Sequence, residues 1–487
     1  MNVVFILMDS LNRHFLNTYG NEWVKTPNID RLAARSVVFD KHYIGSMPCM
    51  PARHDIWTGK LEFLWRPWGP VDPGEVTLPM RLRGKVVTQL VTDHYHFFER
   101  GGETYHVDFD GWEFIRGHEN DPWVTQPNDI PLRNCWPRYR RNMRRMQTEA
   151  DFTSPRTFQA AADWLEGNHH AHEQFLLFID EFDPHEPFHS SEPYNSMYDP
   201  EWDDLPFFWP TYGPNRYSEQ ELRHLRTQYA GKLTMADAWL GRVLDKLDQH
   251  NLWSDSLVIL TTDHGHFLGE KDWVGKGTFP QYQPIAHIPL MIASPGVPSG
   301  RSEALTTIVD LAATVLDAFG EATESLDGRS ILPLLRGERE KIRDWALFGQ
   351  FGAYVQITDG KHVYLRAPES EMNDPLYIYR LTWNTAPWWG VPVPDERLEI
   401  GRFFPHDDRI VTRIQLNEHD KQRLQVLKRW IPEPTQLCDV EADPEQKNDL
   451  AGDAKLSSRF EKLLAKALKE VGCPPEQFDR LALTPPV

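Results

Sequence analysis

Cysteine is scarce: Cys49, Cys135, Cys438 and Cys473 are spread through 487 positions with no C-x-x-C pair. That excludes a dense disulfide framework and makes a reducing compartment the expected setting. Long apolar runs are missing too. The opening stretch from Met1 to Asp9 has no basic leader region and no small-residue cleavage site, and its apolar run is too short to span a bilayer. It reads as a first core strand, and the protein as cytoplasmic, with no membrane partner. Positive charge is in short supply: 52 Lys and Arg against 71 Asp and Glu give a formal charge of −19, which opposes binding to nucleic acid or anionic lipid. An anionic small molecule must then be held locally, by a metal or a few placed basic groups. The Arg-rich segment from Arg133 to Arg145 reads as a solvated helix face or a subunit contact. No internal repeat or low-complexity tract is found.

What is present is an ordinary globular balance, 40% hydrophobic and 25% charged, in a chain long enough for one large domain and a smaller one. Three strand-like runs each end in an acidic or histidine-bearing turn: Asn2 to Met8 before Asp9, Phe175 to Ile179 before Asp180 to His185, and Leu257 to Thr262 before Asp263-His264. Helical patterns lie between them, as from Thr227 to His250, where Leu233, Leu240, Val243, Leu244 and Leu247 recur at three and four residues. Alternating strands and helices predict an α/β fold with a large, mostly parallel sheet flanked by helices, and ligands beyond the carboxyl ends of its strands. From about Ile342 the texture changes to short strands and Pro- and Trp-rich loops, with a final helix near Leu456 to Val471. The expected division is a catalytic α/β domain over 1–341 and a smaller α+β domain over 342–487.

The most informative stretch is Cys49-Met50-Pro51-Ala52-Arg53, followed by Thr58-Gly59-Lys60. Pro51 suits the first turn of a helix, which sets Cys49 at the helix N-terminus among unpaired N–H groups that favour an anion. Arg53, four residues on, shares that face and can turn its guanidinium back toward residue 49. For a lone cysteine, a buried structural role is the commoner one.

This stretch resembles the sulfatase signature, C-x-P-S-R or C-x-P/A-x-R followed by T-G. The likeness extends to Thr26-Pro27-Asn28-Ile29-Asp30-Arg31-Leu32-Ala33, to Asp327-Gly328-Arg329-Ser330-Ile331-Leu332-Pro333-Leu334-Leu335, and to the strand and turn from Leu437 to Pro444; stretches near 100–150 and 366–432 do not match. The resemblance implies an alkaline phosphatase-like fold and a Cys49 oxidised to formylglycine by a formylglycine-generating enzyme. The hydrate would attack sulfur, and its second hydroxyl would later expel sulfate. Ala52 stands where the common signature has Ser, as in some phosphonate-ester hydrolases of the family.

The resemblance also implies one divalent ion held by Asp9, Asp263, His264 and residue 49. Carboxylates suit Ca²⁺ or Mg²⁺, and one imidazole favours Mn²⁺. The family's second adjacent Asp is here Ser10, which weakens the case for calcium. Lys276, within Gly275-Lys276-Gly277, would bind a sulfate oxygen and help protonate the leaving group, and His185, in Pro184-His185-Glu186-Pro187-Phe188, would face the leaving-group oxygen as donor or general acid. Asp93-His94-Tyr95-His96 lies where many sulfatases carry G-K-W-H, so that His94 takes the place of the sulfate-binding Lys and His96 keeps the catalytic His. A neutral imidazole at 94 favours a monoanionic ester.

Three functions follow. The first is hydrolysis of a small anionic aryl, alkyl or sugar sulfate. The second is hydrolysis of phosphonate monoesters or phosphodiesters on the same site, suggested by Ala52, Ser10 and the missing lysine. The third is a metal-binding pseudoenzyme with Cys49 unmodified. The Trp-rich segments Phe63 to Trp68 and Thr382 to Trp389 are candidate pocket walls, though such clusters more often form core or subunit interface. A homo-oligomer is expected on general frequency.

Overall fold

The computed structural model describes residues 1–277, 279–384, 392–404, 408–431 and 433–486. At its centre lies a sheet of eight strands: β1 (Asn2–Met8), β2 (Val37–Phe39), β3 (Val87–Thr92), β4 (Gly111–Phe114), β5 (Phe175–Glu181), β6 (Ser256–Thr261), β7 (Leu290–Ala293) and β8 (Gly300–Ser302). Their order is β8-β2-β7-β6-β1-β5-β3-β4. The five strands from β6 to β4 run parallel, and β7 is antiparallel to both its neighbours. Strand β1 shows why such apolar runs become central: Val3, Phe5 and Leu7 face one core and Val4, Ile6 and Met8 the other, so both faces need cover.

Five helices supply most of that cover: α1 (Cys49–Thr58), α2 (Thr153–Asn168), α3 (Glu219–Gln249), α4 (Val309–Ala318) and α5 (Ala454–Glu470). Helices α1, α4 and α5 contribute Ile56, Val315 and Leu464 to the first core; α2 and α3 contribute Leu165 and Leu240 to the second. Helix α3 starts eight residues before the apolar periodicity does, because its first two turns are rich in polar residues. A capping box of Ser218 and Glu221 begins it. Helix α5 lies where the final helix is expected, but a short helix at Glu476–Arg480 follows it. Among the described residues no helix is long and apolar enough to cross a membrane.

A second sheet contains β9 (Ala346–Gln350), β10 (Val355–Thr358), β11 (His362–Arg366) and β12 (Gln436–Asp439), and its far edge is Ser46–Met47, parallel to Gly349 and Gln350. The chain therefore leaves the second sheet at Met47 and enters α1 at Cys49, which fixes the start of that helix from outside. The other end is fixed by Gly59 at φ +68°, a left-handed closure that a side chain would strain. Its carbonyl accepts the Asp327 and Gly328 N–H groups, so the Thr58-Gly59 and Asp327-Gly328 motifs form one joint. Residues 385–389 of the second Trp-rich segment lie outside the described residues.

Candidate active site

Strand ends deliver the site. Asp9 follows β1 and donates its N–H to Glu181 O at the end of β5; Asp263 and His264 follow β6. Cys49, the first residue of α1, is 2% exposed and points among them. Its Sγ lies 3.3 Å from His264 Nε2, 3.2 Å from Lys276 Nζ and 3.9 Å from Asp9 Oδ1. Ser10, at φ +62°, turns the chain so that its N–H donates to Asp263 Oδ1 and its hydroxyl to Asp9 Oδ1.

Arg53 does turn back along α1, yet it grips carboxylates. Its Nη1 donates to Asp263 Oδ2 at 2.8 Å and to Cys49 O at 3.1 Å, and lies 3.1 Å from Asp9 Oδ2. Nε and Nη2 form a fork with Asp180 at 2.9 and 2.6 Å. The guanidinium that reaches back to residue 49 is thus also held by three carboxylates. Asp180 was legible only as one acid in a strand-end turn.

The donor set fits a divalent ion. One atom from each of Asp9, Cys49, Asp263 and His264 lies within 4.8 Å of the others, all buried. Asp9 Oδ2 accepts no hydrogen bond. His264 Nδ1 bonds Gly265 O at 2.9 Å; a carbonyl only accepts, so the proton is on Nδ1 and the Nε2 lone pair faces the cluster. Burial and Asp9 push the Cys49 thiol well above its ordinary value, so as a plain cysteine it is protonated and a poor nucleophile. Burial works against the charge on Lys276, but the nearby carboxylates of Asp9, Glu186 and Asp263 favour it and Lys276 stays charged.

The three expected histidines differ. His185 Nδ1 donates to Glu186 O at 2.6 Å, leaving Nε2 as the free nitrogen, and burial assisted by Lys276 holds the ring neutral. His94 is fully buried with neither nitrogen hydrogen-bonded, and its Nε2 is 3.7 Å from Asp9 Oδ2. His96 hydrogen-bonds neither Cys49 nor a ligand candidate: Nδ1 meets Glu99 and Nε2 lies 3.1 Å from Glu119 Oε2. Trp68, of the first Trp-rich segment, packs edge-on against His96 at 4.9 Å.

A lysine was overlooked. Lys232 of α3, 2% exposed, reaches Asp183 Oδ1 at 2.7 Å and donates to His185 O at 3.0 Å and Pro187 O at 2.7 Å, tying down the turn that carries His185. The signal was available: Leu225, Tyr229, Lys232 and Ala236 recur at helical spacing, and a lysine on an apolar stripe needs buried partners. His118, which meets Asp183 Oδ1 at 2.7 Å, comes from the irregular stretch after β4 where no motif guides the eye.

A family model described as Sulfatase matches residues 1–321. The chain belongs to the sulfatase family. A multifunctional alkaline phosphatase superfamily protein, PehA, of Trinickia caryophylli is 27% identical over 71% of this chain and 78% of its own. A choline-sulfatase of Rhizobium meliloti (strain 1021) is 24% identical over 79% of this chain and 82% of its own. In fold, a phosphonate monoester hydrolase of Agrobacterium radiobacter superposes with a TM-score of 0.66 at 20% identity, covering 96% of each chain. Membership makes this sulfatase a hydrolase of sulfuric esters and implies a metal ion and formylglycine in general terms.

Proposed function

We propose that the protein hydrolyses monoanionic sulfate esters at residue 49, after conversion of Cys49 to formylglycine. The observation that carries this is the placement of Cys49 Sγ at 3.2 to 3.9 Å from Lys276, His264 and Asp9.

Asp9, Asp263, His264 and residue 49 would hold the metal, with Mn²⁺ favoured over Ca²⁺ because an imidazole replaces a carboxylate. When bound, such an ion polarises ester oxygens and acidifies the attacking hydroxyl, and formylglycine supplies a hydrated aldehyde at that point. The chain's own residues do the rest. Arg53 locks Asp9, Asp263 and Asp180 in one geometry. Lys276, protonated at neutral pH, meets an ester oxygen and gives the proton to the leaving group. His185 Nε2, neutral and unprotonated, accepts and relays rather than supplying the first proton. His94 offers a neutral donor or acceptor to the sulfuryl group.

The second reading, hydrolysis of phosphonate monoesters or phosphodiesters, is favoured by Ser10, Ala52 and His94 in place of lysine. These esters share the single charge and tetrahedral centre.

Because Cys49 is buried, the formylglycine-generating enzyme would act before folding completes. Four unpaired cysteines support a cytoplasmic setting, and exposed Trp112 and Trp136 support a homo-oligomer. We take 1–341 as the catalytic domain and 342–487 as the smaller one. Intact mass and hydrazide trapping test the nucleophile. An aldehyde at residue 49 in the active fraction, with loss of turnover in Cys49→Ala, is expected; full activity of Cys49→Ala would refute the scheme and leave the pseudoenzyme reading.

A further inference from the structure

The Cys49 centre is shut away from solvent. Cys49 is 2% exposed, His185 3% and Lys276 6%, and Asp9, His94 and His264 are fully buried. An ester whose sulfur meets residue 49 and whose leaving group meets Lys276 therefore enters only when a side chain moves aside.

Tyr212 has the position for this. Its hydroxyl donates to Glu186 Oε1, next in sequence to His185, and its ring lies on Gly275, next to Lys276, where a Cβ would overlap its Cγ and Cδ1. Gly275 is at φ +92°, a conformation that favours glycine, and the missing Cβ leaves the seat for the ring. Tyr212 thus spans the two turns that carry Lys276 and His185. Phe182, Phe188 and His266, which pack around the inner side of that span, are fully buried, whereas Tyr212 is 40% exposed. Its hydroxyl end is inside and one side of its ring is at the surface.

The main chain on either side is held. The Thr211 N–H donates to the Tyr217 hydroxyl at 2.8 Å, Gly213 and Pro214 pair with Val274 and Trp273, and the Asn215 N–H donates to Asp272 O at 2.8 Å. The freedom that remains belongs to the ring, which swings about its own Cα–Cβ bond. Opening breaks one hydrogen bond and returns the hydroxyl to water, so Glu186 serves as the latch.

We propose that Tyr212 is the entrance gate of the site and, through the width it leaves, the residue that selects esters by the size of their leaving group. The proposal rests on the reading of the Cys49 centre as the reactive site. It does not depend on which acid is transferred.

The test labels protein with Cys49 unconverted, using methyl and benzyl methanethiosulfonate and reading the mass of the Cys49 peptide. Rates are followed against pH, which separates a change in the thiol from a change in access. In Tyr212→Phe the latch is lost and the ring remains, so both rates are expected to rise at least about tenfold, as for loss of one hydrogen bond to a charged group, at an unchanged ratio. In Tyr212→Ala the ring is gone, and the methyl-to-benzyl ratio is expected to fall at least about tenfold as well. In the aldehyde-bearing protein, Tyr212→Ala is expected to raise kcat/KM for 4-methylumbelliferyl sulfate relative to 4-nitrophenyl sulfate; a wild-type ratio there overturns the size selection. Unchanged labelling in both variants overturns the gate, and if Tyr212→Ala unfolds, unchanged labelling in Tyr212→Phe does so alone. Turnover of neither ester by wild type would refute the sulfate reading, while labelling still decides the gate.

Discussion

Every guanidinium nitrogen of Arg53 is taken: two by Asp180, and the third shared among Asp263, Asp9 and the Cys49 carbonyl. Asp180→Asn is expected to cost about 3–5 kcal/mol in urea unfolding, the penalty for breaking a buried pair, and at least about a hundredfold in kcat/KM as Arg53 shifts. Wild-type stability and turnover in that variant would show the fork to be incidental. Lys276→Met is expected to lower kcat by about 10²–10⁴, more for alkyl than for nitrophenyl esters, because a poor leaving group needs the proton more. A loss independent of leaving group would restrict Lys276 to binding. At His96, burial opposes protonation, but Glu119 and Glu99 outweigh it and push the ring from 6.5 up to about 9. A folded value above the unfolded one means stabilisation that is fully present below about pH 6.5 and lost as pH rises through 9. The stability difference between wild type and His96→Asn is therefore expected to shrink by about 3 kcal/mol between pH 6.5 and 9.5; a pH-independent difference would contradict the pairing. Cys49, Asp9, Asp263, His264 and Lys276 were legible because each sits in a short motif at a strand or helix end. Glu119 and His118 were not, since a contact such as that of His118 with Asp183, 65 positions away, leaves no local pattern; Lys232 showed only as a lysine on an apolar stripe, without its partners.

The elements around these residues act as mounts. Helix α1 is held at both ends by other parts of the chain, at Ser46–Met47 by the second sheet and at Gly59 by Asp327 and Gly328. The turn from Asp183 to Pro187 has no regular structure of its own, and the Lys232 ammonium of α3 serves it as a three-way pin. Lys232→Met is expected to destabilise by about 3–5 kcal/mol through the stranded Asp183 and to cut kcat/KM by about ten- to a hundredfold. The double variant Lys232→Met with Asp183→Asn recovers stability and not kcat/KM, if the pin positions His185; recovery of both would make it structural only. The central strands and α5 were readable from apolar runs and periodicity. The start of α3 was hidden because polar turns give no hydrophobic period, although the capping box was present.

At the scale of the whole molecule, a formal charge of −19 surrounds a centre that gathers two basic side chains beside three acids, so attraction of an anion is local rather than global. A metal ion held at that centre would couple its binding to the stability of the fold. Mn²⁺ at about a hundred times its Kd is expected to add about 2.7 kcal/mol of stability, lost with chelator and absent in Asp9→Asn. An unchanged melting curve would argue against a resident ion at Asp9. The measurement that reaches the central claim is steady-state kinetics of aldehyde-positive protein on 4-nitrophenyl sulfate and 4-nitrophenyl methylphosphonate, with Mn²⁺ present. The account predicts a kcat/KM at least about tenfold higher for the sulfate, a difference of about 1.4 kcal/mol in transition-state binding. The reverse order would contradict it and assign the site to phosphonate and phosphodiester hydrolysis.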